Sequence, residues 1–81
     1  MPRRYSTREV EAALHRIRIR RIHQPGSHIR YRGVWRGQQR NVTLVAGEKK
    51  IPARTLAYIL KQAGLTAVEL ASLVTGEDVV E

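Results

Sequence analysis

The 81-residue sequence contains no cysteine. That removes disulfides, thiolate nucleophiles and cysteine-ligated zinc, and it suits a reducing compartment. No apolar run approaches the roughly 20 residues that a membrane span needs. The N-terminal stretch MPRRYSTREVEAAL lacks the apolar segment of a secretion signal, so a cytoplasmic protein with no membrane partner is expected. A phosphate-binding loop of the G-x-x-x-x-G-K-[ST] type is missing. Carboxylates are missing too where chemistry would want them. Three histidines, His15, His23 and His28, have no acid near residues 23–28. They therefore make a poor metal site, and Ser27 beside His28 has no acid to complete a triad. No metal and no cofactor are expected.

Acids are scarce overall. Seven Asp and Glu stand against 15 Lys and Arg, a formal charge of +8. The acids lie mainly near the ends, at Glu9, Glu11, Glu69, Glu77, Asp78 and Glu81, and residues 16–50 hold only Glu48. Most of the cations are arginine, whose planar fork suits bidentate phosphate contact better than the point charge of lysine. A single-sign field over the central region points to nucleic acid as partner. The length fits one domain over residues 1–81, with a core over about 6–70 and a short helix and acidic tail over 66–81. A chain this short buries only about 60–65% of its unfolded surface.

Ser6 and Glu9 have capping-box spacing, and Val10, Ala13, Leu14 and Ile17 follow at helical intervals, which predicts a helix over 7–17. Strand chemistry follows over 19–24, 28–35 and 40–45, with turns at Pro25-Gly26 and at 36–39. Pro52 suits the first turn of a second helix, whose apolar positions are Leu56, Ile59, Leu60 and Ala63 and whose end is marked by Gly64. Thr66 and Glu69 predict a short helix over 67–74, followed by a frayed acidic tail. The expected class is α+β, ordered α-β-β-β-α, with a three-stranded antiparallel sheet, helices on one face and the other face open for arginines.

The stretch HQPGSHIRYR, residues 23–32, carries the most chemistry. If Pro25-Gly26 is a two-residue hairpin loop, His23 pairs with His28, Ile22 with Ile29 and Arg21 with Arg30. Ile22 and Ile29 then share the buried face, and His23, His28, Arg21 and Arg30 the open one. Against this, L-Pro-Gly favours a type II turn, whose twist does not match a two-residue hairpin, so a longer loop stays open. RNA carries its own nucleophile, the 2′-hydroxyl. A histidine titrates near neutrality and serves as general base or acid for its attack on phosphorus. Arg30 and Arg32, on the same strand face as His28, would grip the phosphate and offset charge in the transition state. DNA lacks this route. Tyr31 and Trp35 are candidates either for base stacking or for packing.

The sequence resembles the HicA-type toxins of bacterial HicAB toxin–antitoxin modules. The resemblance rests on Gln24 with Gly26-Ser27-His28, on Val42-Thr43-Leu44, and on IPARTLAYILKQAGL over 51–65, and it covers roughly residues 6–70. It implies a fold like a double-stranded RNA-binding domain and a cofactor-independent mRNA endoribonuclease (an mRNA interferase). It also implies His28 as the catalytic residue, Gly26 and Ser27 as the turn that positions it, and a HicB-like antitoxin as protein partner. Three places depart from the family pattern, one of them His23, which replaces a position that is often basic. Arg18 stands where many members have glycine, and Val45, Ala46 and Gly47 stand where many have Pro-x-His. The RNA-binding set expected beside His28 is Gly26, Ser27, Arg21, Arg30, Arg32 and His23. The alternatives are a non-catalytic RNA-binding module of the same fold and a domain whose arginines bind an acidic protein.

Overall fold

The computed structural model describes residues 3–81; Met1 and Pro2, part of the N-terminal stretch read above, lie outside it. The order is α1 (Thr7–Arg16), β1 (Arg20–His23), β2 (His28–Trp35), β3 (Gln38–Val45), α2 (Ala53–Ala63) and α3 (Ala67–Val74). The strands form one antiparallel sheet in the order β1-β2-β3, and the helices pack on it. This is the expected α+β architecture, including the short extra helix over 67–74.

The chemistry of α1 sets both its ends. The Ser6 side chain accepts from the Glu9 backbone N–H, and the Glu9 carboxylate accepts in return from the Ser6 N–H at 3.0 Å. At the other end the Arg18 N–H donates to the His15 carbonyl at 3.0 Å and the Ile19 N–H to the Leu14 carbonyl at 2.9 Å. This paired closure needs a left-handed residue, and Arg18 supplies it with φ 66°. The chain then turns directly into β1. Gly33 on β2 makes that close turn possible. A Cβ placed there would lie 2.2 Å from the Arg18 carbonyl oxygen and 2.8 Å from the Ile19 Cα.

Alternation along β2 and β3 separates two faces. Ile29 lies opposite Leu44 and Tyr31 opposite Val42, and all four are buried against Val10, Ala13 and Leu14 of α1 and Ile59 and Ala63 of α2. Helix α3 adds Leu70 and Leu73 to the same core. Thr7 is the one buried polar residue among those described. Its hydroxyl donates to the Val45 carbonyl at 2.5 Å and accepts from the Glu48 N–H at 3.2 Å, tying the start of α1 to the end of β3.

Three expectations change. The turn between β2 and β3 is only Arg36-Gly37, with φ 54° and 73°, so Gln38 and Gln39 belong to β3 and Trp35 pairs with Gln38. Both central residues left-handed is the tight hairpin form, which arginine disguises in the sequence. Pro52 sits one position before α2, as its N-cap, rather than inside the first turn. The acidic tail is not frayed. Val79 packs on the core, and the Arg36 guanidinium donates to the Val80 carbonyl at 2.9 Å.

Candidate nucleic-acid interface

The sheet face away from the helices carries the basic side chains. On β2 it presents His28, Arg30 and Arg32, all exposed, and Val34. Their partners on β3 are Val45, Thr43, Asn41 and Gln39. A cleft of about 320 Å³ runs across this face, lined by Ile22, Arg30, Arg32, Gln39, Asn41 and Thr43 among others. The Arg32 Nε donates to Asn41 Oδ1 at 3.0 Å, which orients the fork and leaves its two terminal nitrogens directed elsewhere.

A braced turn presents His28. Gly26 has φ +66°, and a Cβ at that position would meet no neighbour within 4 Å, so the requirement there is conformational and not steric. The His28 N–H reaches the Pro25 carbonyl at 3.4 Å. Ser27 is held on the opposite strand, its carbonyl accepting from the Ala46 N–H at 2.7 Å. A side-chain relay supports the loop from the helix side. The Glu11 carboxylate accepts from the Arg21 Nη2 at 2.6 Å, the Arg21 Nη1 donates to Gln24 Oε1 at 3.1 Å, and the Gln24 Nε2 donates to the Gly26 carbonyl at 3.2 Å.

The pairing of β1 with β2 corrects the two-residue hairpin. His23 lies opposite Arg30, Arg21 opposite Tyr31 and Arg20 opposite Arg32, with an irregularity between Arg21 and His23. His23 therefore does not pair with His28. Ile22, expected in the core, is 51% exposed and lines the open-face cleft. A two-residue loop of the hairpin-compatible kind needs a positive φ at its first position, which L-proline cannot adopt. The loop widens and the register slips. The slip also moves Arg21 off the open face and onto the side of Tyr31, where Glu11 holds it. Arg20 takes the open-face place instead. Its exposed position opposite Arg32 was missed in the sequence because the bulge that puts it there has no signature of its own.

The two aromatic candidates both turn inward. Tyr31 is 1% exposed, and its hydroxyl donates to the Glu11 carboxylate. Burial, then the Glu11 contact, push the Tyr31 hydroxyl well above the usual tyrosine range. Burial pushes the Glu11 carboxyl up, but the Tyr31 and Arg21 hydrogen bonds outweigh it and the net shift is downward. Trp35 is buried under the Arg36 guanidinium, 5.1 Å from its ring centre. Neither ring lies on the basic face. Of the expected set, the structure brings together His28, Arg30, Arg32 and His23 around the turn of Gly26 and Ser27, and sets Arg21 apart as a brace.

The family model of the HicA toxin of bacterial toxin–antitoxin systems matches residues 7–65. The chain belongs to the HicA family. The match runs from the first residue of α1 to the residue after the left-handed end of α2, so it takes in the whole sheet and the Gly26–His28 turn. Helix α3 and the acidic tail lie beyond the HicA match. No curated protein and no solved structure matches the chain. A HicA protein is the toxin half of a two-component module, so an antitoxin is its protein partner. Among the described residues no helix is long and apolar enough to cross a membrane.

Proposed function

We propose that this HicA protein is a metal-independent endoribonuclease acting on mRNA in the cytoplasm, as a single domain whose partner is a HicB-like antitoxin that covers the basic face. The observation that carries the reading is the position of His28. It stands exposed at the start of β2, in line with Arg30 and Arg32 on the face the helices leave open. Arg30 and Arg32 hold the scissile phosphate and offset its charge. His28 acts as general base on the 2′-hydroxyl or as general acid on the leaving 5′-oxygen. The 2′-oxygen bonds to phosphorus as the bond to the 5′-oxygen breaks, and the leaving oxygen takes up a proton. His23, opposite Arg30, and the backbone of Gly26 and Ser27 border the same phosphate. Arg21 contributes by holding the turn in place.

His28→Gln should lower cleavage of purified mRNA by about 10²–10⁴-fold, the usual worth of one general acid–base group, with an unchanged circular dichroism spectrum. Cleavage at the wild-type rate by this variant rejects the assignment. One observation favours a binding-only reading: the residue opposite His28 is Val45, so that side offers no second proton carrier. Tight, salt-sensitive RNA binding by the wild type without any cleavage products would select that reading.

A further inference from the structure

At the end of the sheet remote from His28 lies a cleft of about 340 Å³, lined by Arg16, Ile17, Arg18, Val34, Trp35 and Glu81. It opens between the end of α1 and the β2–β3 turn. Two carboxylates of the chain's own tail sit on its donors. Arg16 Nη2 donates to Asp78 Oδ1 at 3.1 Å and to the Gly76 carbonyl at 2.7 Å. The Arg36 backbone N–H donates to Glu81 Oε2 at 3.3 Å. The Arg36 guanidinium is committed elsewhere, to Glu69 and the Gly64 carbonyl. The Arg18 side chain has no hydrogen-bond partner among the described residues. We infer that this cleft is a second RNA phosphate site, formed by Arg16, Arg18 and the Arg36 N–H, which the acidic tail occupies in the free protein.

The inference rests on the RNA reading above, and four features support it. The tail offers anionic oxygens to guanidinium and backbone N–H donors, the groups a phosphate would use. Its grip is weak enough to exchange, because the Asp78 side chain is fully exposed and an ion pair in that setting contributes little. The cations connect to the open face, with Arg20 and Arg32 paired across β1 and β2 between Arg30 and Arg18. Finally, Arg18 and Arg36 are the only non-glycine residues with positive φ among those described; Arg18 lines this cleft, and Arg36 reaches it only through the N–H that holds Glu81. Glycine would hold either backbone with less strain, so the cation at position 18, which the fold does not otherwise use, calls for a ligand. From His28 to Trp35 the strand spans roughly 23 Å, about seven stacked nucleotides at 3.4 Å per step. One strand of RNA can reach both ends.

The test uses the full chain carrying His28→Gln, so that RNA stays intact, and a single-stranded RNA of about twelve nucleotides, longer than the span. Affinity is measured by fluorescence anisotropy between about 50 and 200 mM salt. Asp78→Asn with Glu81→Gln should tighten binding about 3- to 10-fold at low salt, the competition expected of one exposed ion pair and one hydrogen bond to a backbone N–H. The slope of log K against log salt should steepen by about 0.7 for each phosphate newly engaged. Adding Arg16→Gln and Arg18→Gln to that variant should erase both gains. Unchanged affinity and slope on neutralising the tail would overturn the inference while leaving the RNA reading standing. A gain that survives loss of Arg16 and Arg18 would overturn it too, by showing a general charge effect. RNA binding by none of the proteins would reject both readings together.

Discussion

The two ends of β2 treat arginine in opposite ways. At the His28 end, Arg30 and Arg32 face solvent with no acid bonded to them among the described residues, and Arg32 is anchored by the neutral Asn41. At the Trp35 end, Arg16 and Arg36 are bonded to Asp78, Glu69 and Glu81. The C-terminal acids Glu69, Asp78 and Glu81 are folded back onto one end of the sheet. The other end keeps its positive field, which is what a polyanion would meet first. Charge composition alone does not show this division, because it depends on where the tail docks.

Loss of the free cations should have the largest effect. Arg30→Gln with Arg32→Gln should cut RNA cleavage by about 10²–10³-fold, the scale of removing a charge-stabilising donor, and flatten the salt dependence of binding. Urea melts should match the wild type, since neither guanidinium is bonded to an acid. Equal replacement of Arg36 by Gln should do the reverse. It should lower stability, read as an earlier urea midpoint, by removing the partner of Glu69 and of the Gly64 carbonyl, with cleavage per folded molecule retained. A result in which both sets of changes act alike would erase the contrast between the ends.

Gly33 sharpens the contrast from the side of packing. Its hydrogen faces the Arg18 carbonyl and the Ile19 Cα, both backbone, so a methyl group cannot be accommodated by a side-chain shift. Gly33→Ala should cost about 1–3 kcal/mol, visible as a drop in Tm of several degrees. Gly26→Ala changes no packing, since open space surrounds it, and costs about 1 kcal/mol through its φ alone. Yet it should damage cleavage more than Gly33→Ala does, because the turn it holds carries His28.

Much of this was readable in the sequence wherever one element could be judged by itself. The capping boxes at Ser6 and Thr66 marked the starts of α1 and α3, and strict alternation over 28–35 marked β2 with its two faces. What failed depended on two elements meeting. The irregularity in β1 follows from proline in the loop acting on strand pairing, and it moved Arg21, Ile22 and His23 at once. The tail looked like loose charge because its partners, Arg16 and Arg36, are 62 and 45 residues away along the chain from Asp78 and Glu81. Arg36-Gly37 hid a tight hairpin because nothing about arginine announces a left-handed backbone.

Acid should cost the Trp35 end more stability than the His28 end. The Arg36 guanidinium, with help from the Thr66 backbone N–H, holds the Glu69 carboxyl down at about 2. A carboxyl depressed in the folded state adds stability that is complete above its unfolded value, near 4.3, and is lost as pH falls toward 2. Urea midpoints should therefore decline between about pH 4.5 and 2. Glu69→Gln should remove part of that decline. Glu9 and Glu11, also shifted down, leave a residual slope.

The smallest effect has the opposite sign. Arg18 closes α1 with φ 66°, a conformation that costs a side-chain-bearing residue about 1 kcal/mol or more. Arg18→Gly relieves that strain, though glycine also gives the unfolded chain more freedom, roughly 0.4–1 kcal/mol in the other direction. A net gain of about 0.5 kcal/mol remains, a rise in Tm of roughly 2–4 °C for a chain of this size. Arg18→Ala separates the two contributions. It removes the same cation but keeps the strained backbone, so it should gain no stability. If both variants weaken RNA binding alike while only the glycine variant melts higher, the arginine is kept for its charge at a cost to the fold.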